Sequence, residues 1–179
     1  MASAFTHAFV AVAAGTIYAR ERMPRRFWIT SVALSILPDL DVIGFAWGIR
    51  YGDFLGHRGF SHSLAFAMLA GAAVLPLFDG RSWRLWLYFF AVTASHGFLD
   101  AMTDGGLGVA FFSPLDLTRY FLPWTPVRVS PIGIAPFFSE WGLVALGTEI
   151  AYVWAPVILV AAAVRFRRSR KARVKEAAP

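Results

Sequence analysis

The sequence predicts an all-α, polytopic membrane helix bundle of about five spans, with one irregular segment between the last two. Three observations carry that expectation. Of the 179 residues, 58% are hydrophobic and only 16% are charged, with a mean hydropathy of +0.57. Soluble domains are nearer about 45–50% apolar and about 25% charged. The apolar residues gather in five stretches, at about 3–19, 27–49, 60–78, 85–102 and 137–164. No long hydrophilic segment, internal repeat or low-complexity tract separates them.

A helix crosses the hydrocarbon core with roughly 20 apolar residues, about 17–25 being tolerated. The first stretch meets that at its lower limit. It is not read as a removable signal peptide, because it lacks a basic leader, carries His7, and ends at Arg20 without a small-residue cleavage motif. The second stretch is interrupted at Leu37-Pro38-Asp39-Leu40-Asp41, where proline removes a backbone donor and two carboxylates enter an apolar run. The third is preceded by Gly56-His57-Arg58-Gly59 and continues as Phe60-Ser61-His62-Ser63, a turn in which Ser61 is placed to cap the helix. The fourth ends on His96-Gly97-Phe98-Leu99-Asp100, and the fifth runs into a basic tail.

Between the fourth and fifth stretches, residues 104–136 hold Gly105-Gly106 and Pro114, Pro123, Pro126, Pro131 and Pro136. Prolines at that density exclude a regular helix. The many aromatic and aliphatic neighbours make the segment too apolar for a solvated loop, so it is expected to lie on the outer leaflet as an interfacial flap or a packed cap.

The formal net charge of +6 invites a nucleic-acid reading, which the distribution of the charge argues against. Seven of the 17 basic residues lie in 165–175, directly after an apolar run and without interleaved base-stacking aromatics. Residues 1–164 therefore read as a single transmembrane domain and 165–179 as a basic cytoplasmic tail meeting anionic head groups. Residues 20–26, 79–84 and the tail together hold 13 basic residues, against Arg50, Arg58, Arg119 and Arg128 on the other side. The positive-inside rule then puts the C-terminus in the cytoplasm and the N-terminus outside. Trp28, Trp83, Trp86 and Trp141 fall near span ends, where amphipathic rings prefer the interface.

On that topology all four histidines, with Asp39, Asp41, Asp100 and Asp104, converge on the outer end of the bundle. An ionisable side chain at mid-bilayer costs about 2.5–3.5 kcal/mol on insertion scales, so such a gathering needs compensation. His7 by itself would be an ordinary hydrogen-bonded core histidine. The Leu37–Asp41 run by itself would be a helix break whose carboxylates take freed backbone N–H groups. His96 and Asp100, spaced i and i+4, share one helix face and suit either common coordination of an ion or orientation of the ring by the carboxylate. Asp104 extends that face by a further turn if the helix persists. Cysteine is absent, so any metal is held by nitrogen and oxygen. That donor set suits zinc first, with manganese or iron as alternatives. The number of potential ligands allows one to three ions.

In their order along the chain, His7, Leu37-Pro38-Asp39-Leu40-Asp41, His57-Arg58-Gly59-Phe60-Ser61-His62-Ser63 and Ser95-His96-Gly97-Phe98-Leu99-Asp100 resemble the YdjM-like family. The resemblance runs from His7 to about Pro114. It implies a LexA-regulated or inner-membrane-associated metal-dependent hydrolase of a bacterial inner membrane. More distantly, the early histidine and the His-x-x-x-Asp pair look like the zinc-dependent phospholipase C and nuclease superfamily, which is helical and hydrolyses phosphodiesters with several zinc ions. That likeness implies His7, Asp39, His57, His62, His96 and Asp100 as metal ligands. The chain lacks the superfamily's N-terminal tryptophan ligand and its additional His/Glu pair.

The implied activity is hydrolysis of a lipid or lipid-linked phosphoester at the outer face. Asp41 or Asp104 would act as general base or further ligand. Arg58 would pair with a phosphate or anchor a head group. Two other readings remain open: a non-catalytic metal-binding membrane protein, such as an ion carrier using Glu140 and Glu149 or a sensor, and a structural polar network.

Overall fold

The computed structural model describes residues 1–79 and 82–176, with side chains up to Lys171; Arg81, Arg173 and Lys175, which the charge count includes, fall wholly or in their side chains outside that description. Helix α1 spans Ala4–Tyr18, and α2 spans Arg25–Ile36 and continues as a 3-10 helix over Leu37–Trp47. A single 3-10 turn at Phe60–His62 leads into α3, Leu64–Ala73, and then α4 covers Trp83–Ala101. After a long irregular stretch come α5 at Ile134–Phe137 and α6 at Glu140–Glu149. A π-helical turn at Ile150–Trp154 joins α6 to α7, Ala155–Glu176. The described residues contain no strand, only two isolated bridges.

Two helical stretches are long and apolar enough to cross a membrane, Arg25–Trp47 and Glu140–Lys171; Ala4–Tyr18 and Leu64–Leu77 are shorter apolar helices. The basic residues from Arg165 on belong to α7, which continues without a break to Glu176.

Serines start the helices. Ser3, Ser63, Ser82 and Ser139 each accept the N–H three residues on, from Thr6, Phe66, Leu85 and Gly142. A cap of this kind contributes about 1 kcal/mol by satisfying an otherwise orphaned donor. The cap of α3 is Ser63 and not Ser61, whose hydroxyl donates instead to Asp41.

Helix α4 is the central element. Its inward face carries Tyr88, Phe89, Val92, His96 and Asp100, all buried. Gly71 brings α3 against it: a Cβ there would lie 2.9 Å from the backbone nitrogen of Phe90. Close approach through small residues is how helices associate where no water drives them together. Outward-facing Ile29, Leu69, Leu143 and Leu159 are exposed, the pattern of a bundle that is apolar outside as well as inside.

The continuous helical stretch from α6 through α7 clamps both ends of the first helix. Glu149 is fully buried; it accepts from the Ser3 N–H and hydroxyl at 2.5 Å each and from the Thr6 hydroxyl at 2.6 Å. At the other end, Arg168 donates to the carbonyls of Ala19 and Ile17. An anion at the N-terminus and a cation at the C-terminus both complement the α1 dipole. The two helices therefore run in the same direction.

The irregular segment is stitched down by backbone bonds. Thr103 bridges Val127, Val109 bridges Tyr120, and Leu122 donates to Ala101. Ala110 donates to Arg58 and Leu64 donates to Phe111, so the segment lies directly across the loop that carries His57 and His62.

Candidate metal centre

Pro38 does not break the chain here. It starts a 3-10 helix whose tighter winding sends Asp39 and Asp41 to two sides of one histidine, His62. Asp39 Oδ1 lies 3.7 Å from His62 Nε2 and 3.3 Å from His96 Nε2. Asp41 Oδ2 lies 3.2 Å from His62 Nδ1, while its Oδ1 bonds His57 Nδ1 at 2.7 Å. The carboxylates accept nothing from their own helix; Asp41 takes the N–H of Arg58 and the hydroxyl of Ser61 instead.

Opposite them, α4 supplies His96 and Asp100, and α1 supplies His7. His96 Nδ1 donates to the carbonyl of Ser35 at 2.7 Å. Since a carbonyl only accepts, Nδ1 carries the proton and the neutral ring leaves Nε2 bare. In His62, Nδ1 faces Ser61 Oγ at 3.0 Å; that hydroxyl gives its own proton to Asp41, so it accepts from the ring. In a neutral ring His62 Nε2 is then bare as well. It lies 3.0 Å from His96 Nε2 and 3.6 Å from Asp100 Oδ2.

His7 stacks on His96, ring centroids 3.7 Å apart, with its Nε2 3.4 Å from Asp100 Oδ1. Asp100 is held by the Ala2 N–H at 2.7 Å and by Arg58 Nε at 3.1 Å.

Polar groups in native interiors almost always find partners. Six buried side-chain N and O atoms among the described residues have none, and five of them are His7 Nδ1 and Nε2, Asp39 Oδ1 and Oδ2, and His57 Nε2. These orphans cluster where the sequence expects ligands. Asp39, His62, His96 and Asp100 each offer an atom, all within 4.8 Å of one another, and Asp41, His57 and His62 form a second such group. An ion about 2.0–2.2 Å from nitrogen and oxygen ligands holds them at comparable spacing. A nitrogen and carboxylate set of this kind fits a divalent cation.

Eight of the nine expected site residues come together; Asp104 does not. Helix α4 ends at Ala101, so the face shared by His96 and Asp100 is not continued. Asp104 instead meets Arg128 at 2.6 Å and the Val129 N–H at 2.9 Å on the exposed side. Partial burial opposes its charge, but that N–H and the guanidinium hold its carboxyl below the usual carboxylate range. Arg58 reaches the cluster with its guanidinium already engaged, bonding Asp100, Thr103 Oγ1 and the Gly105 carbonyl while fully buried. Its backbone sits at φ 63°, a left-handed conformation that a non-glycine residue adopts at some strain.

Several supporting groups gave no signal in sequence. The Ser35 carbonyl is a backbone atom with no residue-type signature. Arg119, counted only as a basic residue, donates to the carbonyls of His57 and Tyr51 at 2.8 and 3.1 Å and so ties the irregular segment to the cluster loop. Gly97 packs beneath that loop; a Cβ there would lie 2.8 Å from the His62 carbonyl oxygen. Ser61 adjoins His62 in the chain, and that adjacency was the available clue.

Comparison with known proteins agrees with the resemblance and extends it. The model of a family described as YdjM inner membrane protein matches residues 1–174, which takes in the last span and most of the tail. The chain is 34% identical over 174 residues to the inner membrane protein YbcI of Escherichia coli (strain K12), covering 94% of this chain and 99% of that one. No solved structure matches it.

Proposed function

We propose that this chain, which belongs to the YdjM inner membrane protein family, is a membrane-embedded, metal-dependent hydrolase of a lipid or lipid-linked phosphoester. Asp39 carries the reading. Its carboxylate is buried, neither oxygen has a hydrogen bond, and its nearest neighbours are ring nitrogens of His96 and His62 that present lone pairs. Anion against lone pair is repulsive in a low-dielectric interior, and a divalent cation among the three removes the repulsion. Zinc suits the donors first, with manganese or iron as alternatives. The unpartnered His57 Nε2 and the two His7 nitrogens leave room for one to three ions.

A divalent ion supplies Lewis acidity at such a site and makes water a nucleophile near neutral pH. The chain's own residues do the rest. Asp41 fixes the tautomers of His57 and His62, turning each Nε2 away from itself. Arg58 and the Ala2 N–H hold Asp100 in place. Asp39 has a side-chain exposure of 8% against 0% for His62, His96 and Asp100, and its neighbours Leu40 and Ile43 are exposed. That apolar flank supports a substrate arriving from lipid. The likeness of His7 and the His96–Asp100 pair to ligands of zinc-dependent phospholipases favours a phosphoester, by analogy of ligand type alone.

Five spans with the N-terminus outside belong to the same proposal. The cluster sits at the Ser3 and Glu149 end of α1, and Arg20–Arg26 and Arg168 sit at the other. The positive-inside rule puts the arginine end in the cytoplasm and the cluster at the outer face. An ion carrier would need Glu149 free as a relay, whereas its carboxylate is engaged with Ser3 and Thr6.

The test is product release from mixed micelles of phosphatidylglycerol, phosphatidylethanolamine and lipid phosphate monoesters. The expected result is release from at least one class, abolished by a chelator, restored by zinc or manganese, and absent in Asp39→Asn. Metal-loaded protein that releases nothing from any head-group class overturns the hydrolase reading.

A further inference from the structure

The far end of the bundle carries a feature that the cluster does not use. From Glu149 to Arg168 the continuous helix rises roughly 28 Å, about the thickness of a hydrocarbon core. At the Arg168 end two clefts lie side by side. One, of about 650 Å³, is lined by Tyr18, Arg20, Glu21, Arg84 and Arg168 among others. The other, of about 300 Å³, is lined by Arg20, Glu21, Trp28, Arg165 and Arg168 among others. The clefts share Arg20, Glu21 and Arg168, and each adds an arginine of its own, Arg84 in the first and Arg165 in the second.

Arg168 is not a freely waving surface charge. It is half-buried and fixed by its bonds to Ile17 and Ala19, which occupy only part of its five N–H donors. Among the described residues lining the clefts, Glu21 is the one carboxylate, against four arginines, so both clefts keep a positive balance. Trp28 is held in place by packing on Gly15, where a Cβ would lie 2.5 Å from the indole. Tyr18 and Trp28 are the amphipathic rings that favour head-group depth. Basic pockets between membrane helices are suited to anionic head groups. Paired clefts, with a shared arginine between them and a private arginine in each, match two phosphates joined by a short linker better than one.

We propose that this end of the bundle binds a phospholipid with two phosphates, of the cardiolipin type. Charge complementarity selects the anion, and the pairing of the clefts selects the diphosphate. The inference is independent of the chemistry at the histidine cluster.

Full-length protein purified in detergent is titrated with cardiolipin, and bound lipid is counted by native mass spectrometry. Phosphatidylethanolamine and millimolar inorganic phosphate form the other arms. One cardiolipin is retained, phosphatidylethanolamine is not, and phosphate fails to displace it. The pair Arg84→Gln and Arg165→Gln weakens cardiolipin binding roughly thirtyfold. The pair Arg167→Gln and Arg170→Gln removes equal charge from residues that line neither cleft and leaves binding unchanged. Equal weakening by both pairs, displacement by inorganic phosphate, or equal retention of phosphatidylethanolamine each overturns the proposal.

Discussion

The Nε2 atoms of His62 and His96 face each other at 3.0 Å, and the partners of their Nδ1 atoms leave both lone pairs pointing inward. Two lone pairs at that distance require a cation between or beside them, either a proton or a metal ion. A shared proton would satisfy the two rings and still leave both oxygens of Asp39 and the Nε2 of His57 buried without partners. A metal ion answers for Asp39 as well.

Asp41 orients ligands from outside the first group of donors, since both its oxygens are engaged by His57, His62, Ser61 and the Arg58 N–H. Asp41→Asn should weaken zinc binding about 10–100-fold without abolishing it, the usual size of an orienting effect. Asp39→Asn, which removes a donor, should abolish high-affinity binding. Competition against a chromophoric chelator reads both. Complete loss in Asp41→Asn would make that carboxylate a ligand itself.

Gly97 offers no donor, yet it sets the position of His62. A methyl group there meets the His62 carbonyl oxygen at 2.8 Å, closer than real contacts allow. Gly97→Ala should therefore lower metal affinity several-fold while raising helix propensity by up to about 1 kcal/mol. Unchanged affinity in a folded variant would show that the loop yields freely.

Glu149 serves the fold. Glu149→Ala strands the Ser3 N–H and hydroxyl and the Thr6 hydroxyl in a buried setting, and should cost about 2–4 kcal/mol in unfolding measurements. Metal bound per folded molecule should stay as in wild type. A loss of metal without a loss of stability would return Glu149 to a role in ion handling.

Much of this was legible in the residues because the bilayer makes polar side chains conspicuous. His7, Asp39, His96 and Asp100 stood out inside apolar runs, and the structure gathers them with His57 and His62. The expected span limits of 3–19 and 85–102 fall within about two residues of Ala4–Tyr18 and Trp83–Ala101. Asp104 was misplaced because spacing along a helix says nothing about where the helix stops. Arg58 looked free because an arginine between two histidines carries no mark of the Thr103 and Gly105 acceptors that reach it from 45 and 47 residues away. The irregular segment was recognisable as non-helical, but its stitching through backbone bonds and Arg119 has no residue-type signature.

The most direct test is the metal content of the detergent-purified protein, measured by mass spectrometry of the elements for wild type, His96→Ala and Asp39→Asn. Wild type should carry at least one equivalent of zinc or manganese, and both folded variants should lose it. Wild-type protein that is metal-free and takes up none on addition would contradict a metal centre, leaving a shared proton between His62 and His96 as the cation in the cluster.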